Sequence, residues 1–229
     1  MKQKNKKLKT LEVVQNHDFE NANWICLFHG YGANAEDLYP LHRELDPEKK
    51  FNWIFPQAPL EVPLDLFSKG YAWWPIDIAR YQQAVLQKDF SQVSQNCPQE
   101  LTNLRNVFSD LLKEKQISWS RLILGGFSQG SMLATDISLH AETNPQALLL
   151  FSGTMICQEI WKSKSPLRKG TPFFQSHGSN DPVLSYGQAQ RLYQTLKEAG
   201  LEGKMHTFSG GHEIPYDIIQ KAAVFLKQF

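Results

Sequence analysis

Residues 121–131 have the sequence RLILGGFSQGS, an apolar run that leads through two glycines to Ser128. The run RLIL predicts a buried strand, and the residues from 129 to about His140 predict a helix. Ser128 has a glycine two residues to either side, which keeps side chains out of a sharp turn between the two elements. In this context G-x-S-x-G is typical of a nucleophilic serine at the edge of a sheet, the alternative being a purely structural turn.

Short apolar runs alternate with amphipathic stretches on both sides of this motif. Strands are predicted at 24–28, 51–55, 121–124, 147–151, 172–175 and 204–208, and helices at 34–45, 98–116, 129–140, 185–199 and 215–227. This alternation predicts an α/β fold with a mostly parallel central sheet and helices on both faces. We expect a single domain over residues 1–229, in which 56–96, rich in proline and aromatic residues, form an irregular insertion near the site.

A nucleophilic serine needs a base and an acid that orients the base. In α/β hydrolases the acid and then the base follow the serine along the chain. Asp181 is the only carboxylate in the loop after the strand 172–175, and His212 lies between the last strand and the last helix. We therefore predict a triad of Ser128, Asp181 and His212, with His177 fixing the acid's loop by hydrogen bonding. The alternatives are a turn-forming aspartate before a proline and a surface histidine.

Acyl transfer also requires donors for the oxyanion of the tetrahedral intermediate. We predict the backbone N–H groups of Gln129, directly after the serine, and of Tyr31, in the glycine-rich HGYG after the first predicted strand. His29 is expected to order that loop. Trp73 and Trp74 are candidates for an acyl pocket, and the alternative is an aromatic mini-core that covers the sheet.

The positions of other reactive side chains in the predicted elements indicate structural roles and not catalytic ones. Cys26 lies in an apolar run and is expected in the core, and His206 alternates within a strand. Asp136 and Asp217 fall within helices, where a carboxylate is more often solvated.

The composition favours a globular protein without a polyanionic partner. Of 229 residues 41% are hydrophobic, and the formal net charge is +1, so nucleic-acid binding is not expected. No run is long and apolar enough to span a membrane. The basic residues 1–10 are expected to be solvated, the alternative being contact of their lysines with a membrane surface. Cysteines 26, 97 and 157 show no metal or disulfide spacing, which predicts three reduced thiols, no metal site and a cytoplasmic protein.

Six sequence words resemble the phospholipase/carboxylesterase family, which includes the acyl-protein thioesterases. They are HGYG (29–32), FPQAP (55–59), WWPID (73–77), GFSQGS (126–131), HGSNDPV (177–183) and GGHEI (210–214). The resemblance implies an α/β-hydrolase fold without a large cap domain, with the same triad and oxyanion amides and no cofactor. It also implies hydrolysis of small to medium carboxylic esters or thioesters, with lysophospholipid or acyl-protein substrates as alternatives. Many members are homodimers.

Two further hypotheses remain open from the sequence. A hydrolase-fold binding module could have lost catalysis, although all three triad positions are present. A small peptidase is the other, but no additional domain is evident to restrict peptide access.

Overall fold

The computed structural model describes residues 8–15, 21–65, 67–87, 95 and 97–229. Within these residues the strands are β1 (Thr10–Val13), β2 (Trp24–Phe28), β3 (Asn52–Pro56), β4 (Leu60–Pro63), β5 (Lys69–Ala72), β6 (Leu122–Phe127), β7 (Ala147–Phe151), β8 (Pro172–Gly178) and β9 (Glu202–Phe208). The α-helices are α1 (Ala35–Leu38), α2 (Leu41–Leu45), α3 (Ile78–Gln87), α4 (Glu100–Glu114), α5 (Gln129–His140), α6 (Gln158–Lys164), α7 (Tyr186–Glu198) and α8 (Tyr216–Leu226).

A seven-stranded sheet in the order β1-β3-β2-β6-β7-β8-β9 forms the centre of the molecule. Every neighbouring pair is parallel except β1 and β3. The middle strands β2, β3 and β7 are buried at every residue, as expected for strands covered on both faces. The mostly parallel sheet is therefore confirmed, whereas edge strand β1 was not predicted because its four mixed residues are too few to show alternation.

Helices cover the sheet on both faces, as predicted. One core contains Trp24, Cys26 and Phe28 of β2 together with buried residues of α4, α5, α6 and α7. The other contains Ile25 and Leu27 of the same strand together with residues of α1, α2 and α8. Alternate residues of β2 thus enter opposite cores, which is the consequence of the two-residue period of a strand. No part of the described chain forms a separate cap domain.

The helix predicted over residues 34–45 is wrong as one element, because it divides into α1 and α2 at Pro40. Asn34 caps α1 as predicted, accepting a hydrogen bond from Glu36 N while the carboxylate of Asp37 accepts one from Asn34 N. Pro40 has no N–H, and its ring would collide with the carbonyl four residues earlier. Two short helices replace the long one for this reason.

The segment after β3 is more regular than predicted. Strands β4 and β5 pair as an antiparallel hairpin, and α3 follows. Tyr71 of this hairpin donates its N–H to Ala33 O and accepts one from Gly32, both at 2.9 Å. The hairpin is therefore hydrogen-bonded to the loop that follows β2, where the sequence places an oxyanion donor. Part of the segment, residues 88–94 and 96, lies outside the described residues.

Two interactions between residues distant in sequence differ from the sequence prediction. Cys97 and Cys157 form a disulfide with their Cα atoms 4.6 Å apart, so three reduced thiols is wrong for this pair, although Cys26 is buried as expected. Asp136 is fully buried rather than solvated, accepting hydrogen bonds from Arg105 at 2.6 Å and from Trp161 at 3.0 Å. Both contacts join residues distant in sequence, which neither spacing nor helical position indicates.

Replacing Gly130 by alanine should destabilise the fold at the turn before α5. A Cβ there would overlap the backbone carbonyl of Phe28, which has no freedom to move within β2. We expect Gly130→Ala to lower the free energy of unfolding by about 3 kcal/mol or more. Gly187→Ala is the matched control, because its Cβ would lie 3.7 Å from the nearest atom, Ser185 Oγ, inside a helix. It should be neutral or stabilising by about 0.5–1 kcal/mol. Urea unfolding measures both, and equal losses would contradict this packing.

Candidate active site

Ser128 occupies a strained turn between β6 and α5. Its backbone has φ 55° and ψ −119°, a region that residues other than glycine seldom adopt. The Ser128 N–H donates to Phe151 O of β7 at 2.9 Å, and helix α5 begins at the next residue. The turn therefore presents the hydroxyl at the carboxyl edge of the sheet, as the G-x-S-x-G pattern predicts.

The structure brings the three predicted triad residues together. His212 Nε2 lies 2.8 Å from Ser128 Oγ, and His212 Nδ1 lies 2.7 Å from Asp181 Oδ2. Because an ionised carboxylate only accepts hydrogen bonds, Nδ1 carries the proton and Nε2 is left to accept from the serine. This tautomer is the one that a general base facing Ser128 requires.

The Asp181 carboxylate is completely buried and fully hydrogen-bonded. Its Oδ1 accepts from the backbone N–H groups of Val183 and Leu184, each at 2.8 Å, and its Oδ2 is near His177 and His212. Burial alone would raise the pKa of Asp181, but hydrogen bonds from His177, His212 and Leu184 lower it well below its usual range. Asp181 is consequently ionised at neutral pH and can stabilise an imidazolium.

Backbone hydrogen bonds join the loop of the acid to the loop of the base. Asn180 N–H donates to Gly210 O at 3.1 Å, and Ser179 N–H donates to Phe208 O at 2.9 Å. The imidazole of His212 also packs on the ring of Phe127, with centroids 4.8 Å apart. These contacts fix the position of His212 although its loop has glycines at 210 and 211.

The two predicted oxyanion donors flank Ser128 in the same cavity. The amide of Gln129 belongs to the first turn of α5, where N–H groups have no acceptor within the helix. Tyr31 follows Gly30 in the loop after β2. His29 orders this loop as expected, since its Nδ1 contacts Gly30 O at 2.7 Å and its Nε2 accepts from Ala58 N at 3.1 Å. Burial lowers the pKa of His29, which keeps its ring neutral.

A cavity of about 320 Å³ opens beside Ser128. Trp74 lines this cavity as predicted. The side chains that sequence reasoning missed there are apolar, namely Ile76, Phe127, Met132, Val183 and Leu184. Only Met132 had a local signal, because it lies four residues after the serine on α5 and so faces the same side.

Trp73 is not a pocket residue, so that prediction is wrong. Its side chain is fully buried, with Nε1 donating to His29 O at 2.8 Å and its ring edge against Phe28. Its backbone N–H donates to the side chain of Gln129, whose amide in turn donates to Trp74 O. Trp73 thus packs beneath the loop that follows β2, whereas Trp74, the better pocket candidate from the sequence, lines the cavity.

A larger cavity of about 540 Å³ lies between β9 and α8, away from the triad. Its walls include Phe174, His206 and Phe225, and His206 stacks on Phe174 with ring centroids 4.5 Å apart. His206 is therefore a packing residue, as its place in the strand indicates. The described chain has no group of three or more His, Cys, Asp or Glu side chains placed to hold a metal ion.

Residues 9–229 match the family described as phospholipase/carboxylesterase. The chain belongs to this family. Among curated relatives, acyl-protein thioesterase 1 of Emericella nidulans is 28% identical over 208 residues, covering 84% of this chain and 78% of that protein. Acyl-protein thioesterase 1 of Neurospora crassa is 26% identical over 218 residues, covering 89% and 85%. The predicted resemblance is therefore confirmed.

Solved structures show that the α/β-hydrolase fold extends over the chain. Esterase PE8 superimposes with a TM-score of 0.77 at 24% identity, covering 97% of this chain and 99% of that one. The carboxylesterase of Bacillus cereus has a TM-score of 0.70 at 17% identity, covering 96% and 94%. At these identities the likeness establishes the fold. Across the described ranges, no helix has the length and apolar character needed to cross a membrane.

In this member of the phospholipase/carboxylesterase family, Asp181→Asn should remove a pH-dependent part of the stability. The pKa of Asp181 is lower in the folded chain than the ordinary value near 4, so the ionised side chain stabilises the fold above about pH 4. That contribution is lost as the pH falls from about 4 through the pKa that Asp181 has in the folded protein.

We expect the variant to lose on the order of 2 kcal/mol at pH 7 and progressively less on acidification. Urea unfolding between pH 7 and pH 3 measures the difference. Asp217→Asn is the control, because Asp217 is exposed beside Lys221 and should change stability little at any pH. A loss for Asp181→Asn that does not depend on pH would contradict the assignment of the buried charge.

Proposed function

We propose that this chain is a serine hydrolase that cleaves carboxylic esters or thioesters of small to medium acyl chains through an acyl-enzyme. The observation that carries the proposal is the continuous hydrogen-bonded series from Ser128 Oγ through His212 to the buried Asp181 carboxylate. Family membership supports the same class of reaction. A binding module would have no need of this arrangement, so we rank that hypothesis second.

The proposed reaction begins when Ser128 Oγ attacks the carbonyl carbon and His212 Nε2 takes the hydroxyl proton. Asp181 stabilises the resulting imidazolium, and the N–H groups of Tyr31 and Gln129 donate to the oxyanion. The intermediate collapses as His212 returns the proton to the leaving alcohol or thiol, which leaves an acyl group on Ser128. Water then attacks this ester with His212 as base, and the acid and the free serine are formed.

The acyl side of the substrate is proposed to be uncharged and apolar. Among the described residues, no lysine, arginine, aspartate or glutamate lines the cavity beside Ser128. Its walls are formed by aromatic and aliphatic side chains, and burying each methylene of an acyl chain there contributes about 0.8 kcal/mol.

Three expectations concern the location, the oligomeric state and the domain organisation of the protein. The cytoplasmic location was inferred from three reduced thiols, and the disulfide between Cys97 and Cys157 removes that support. A homodimer stays a prediction, which light scattering on the purified protein tests. One domain over the whole chain likewise stays a proposal.

Ser128→Ala should abolish ester hydrolysis, lowering kcat by at least about 10³-fold. The measurement is release of p-nitrophenol from esters of acetate, butyrate and octanoate. Ser131→Ala is the matched control, because it lies three residues later in α5, is fully buried and has a hydroxyl without a hydrogen-bond partner in the described chain. The control should retain near-wild-type activity. Persistent turnover by Ser128→Ala would rule out the proposed nucleophile.

Met132→Ala should shift the preference toward longer acyl chains. The shorter side chain lacks the Cγ, Sδ and Cε groups, which enlarges the cavity by roughly the volume of three methylenes, and one methylene in a pocket is worth about 1–3 kcal/mol. We expect the ratio of kcat/KM for octanoate over butyrate to rise about tenfold. Met155→Ala is the control, because Met155 is buried in the core and does not line the cavity. An unchanged ratio for Met132→Ala would mean that the acyl chain binds elsewhere.

A further inference from the structure

His177 is a buried histidine next to the acid that the reaction above does not use. It lies near the end of β8, opposite Thr207 of β9, and its side chain has no exposed surface. His177 Nε2 is 3.2 Å from Asp181 Oδ2 and 3.0 Å from Leu184 O. Both neighbours are hydrogen-bond acceptors, so Nε2 must carry a proton.

The other ring nitrogen of His177 fixes its protonation state. Nδ1 is buried and has no hydrogen-bond partner in the described chain. An imidazolium would leave a charged N–H donor unpaired at this position, whereas a neutral ring leaves only a lone pair, which costs much less. The geometry therefore fits a neutral imidazole whose single N–H donates to Leu184 O, with Asp181 Oδ2 3.2 Å from the same nitrogen.

The oxygen that His177 contacts is also the oxygen that holds the proposed base. His212 Nδ1 donates to Asp181 Oδ2 at 2.7 Å, and His177 Nε2 lies 3.2 Å from the same oxygen, so two imidazole N–H groups lie beside one carboxylate oxygen. We propose that His177 is a positioning residue that weakens the hold of Asp181 on protonated His212. This inference rests on the proposed triad and concerns how that triad is adjusted.

The effect follows from the direction of the His177 N–H dipole. Its positive end lies beside Oδ2 and offsets part of the negative potential that Asp181 exerts on His212. Without this donor, the imidazolium of His212 would be stabilised further. A base that holds its proton too firmly is protonated at neutral pH and returns the proton to the leaving group less readily.

Other titratable groups near these residues come from three elements. Tyr186 of α7 has its ring centroid 6.2 Å from that of His177 and its hydroxyl bonded to Thr207. Glu213 follows His212 in the same loop and accepts from Gly211 N, and His206 lies in β9. All three are unchanged in the variants below, so a difference between variants isolates His177.

The test is the pH dependence of kcat/KM for a p-nitrophenyl ester, whose acidic limb reports protonation of the base. In His177→Leu the donor is lost, and the midpoint of this limb should move to higher pH by about half a unit. In His177→Gln the side-chain amide can place a donor where Nε2 stood, so the midpoint should return toward the wild-type value.

His42→Leu is the matched control. His42 is also buried and bonds a backbone carbonyl, Tyr39 O at 2.6 Å, but it lies in α2 and does not line the catalytic cavity. Its loss should lower stability without moving the acidic limb. If His177 had a purely structural role, His177→Leu would likewise lower stability and activity and leave the midpoint of the acidic limb unshifted.

An acidic limb that stays in place or moves to lower pH in His177→Leu overturns the inference, and His177→Met is judged by the same criterion if the leucine variant does not fold. Nitrogen-15 NMR of the wild-type protein gives an independent reading, because His177 should remain a neutral Nε2–H tautomer across the active pH range. An Nδ1–H tautomer or an imidazolium there also overturns it. Activity in Ser128→Ala would instead remove the triad itself, which keeps the two failures distinct.

Discussion

A serine held at a positive φ between β6 and α5 is the constraint on which the site depends. This positive-φ conformation costs about 1–3 kcal/mol and persists only where the surrounding structure enforces it. Here the enforcement comes from the sheet, because Ser128 N–H is bonded to Phe151 O and the following turn of α5 packs against the carbonyl of Phe28 at Gly130. As a result, the hydroxyl of Ser128 and the backbone N–H of Gln129 lie on the same side of the turn.

Parallel strands bring the remaining groups to the same edge. β2 lies next to β6 on one side, and β8 and β9 lie two and three strands away on the other side. The loops that follow β2, β8 and β9 carry Tyr31, Asp181 and His212. Hydrogen bonds then hold these loops against each other and against the β4–β5 hairpin, through Gly210 and through Tyr71. The functional groups are thus distant in sequence and near one another because the sheet is parallel.

Much of the site could be predicted because short local sequence patterns identify its reactive residues. Ser128 lies in a strand–turn–helix pattern, and the order of acid and base along the chain leaves few candidates for Asp181 and His212. The two adjacent tryptophans show where local patterns stop being sufficient. Position 74 faces the cavity and position 73 the core, and no local period separates them.

Elements with a hydrophobic pattern over many residues were predicted, whereas contacts between residues distant in sequence were missed. The buried strands and the four helices from 98 onward were predicted, with ends displaced by a few residues. The four-residue β1 and the helices α3 and α6 were not predicted, and the helix at 34–45 was predicted as one element instead of two. The pairing of Cys97 with Cys157 and the burial of Asp136 against Arg105 and Trp161 depend on elements that meet only in the folded chain. The apolar wall of the cavity was missed for the same reason, since loops from several strands contribute to it.

We propose that Ser128 becomes reactive because His212 and two backbone amides surround it. A crystal structure of the protein after reaction with a fluorophosphonate is the sharpest test. We expect phosphorus bonded to Ser128 Oγ, with the phosphonyl oxygen within hydrogen-bond distance of the N–H groups of Tyr31 and Gln129. An unmodified Ser128, or an adduct whose oxygen points away from both amides, would contradict it.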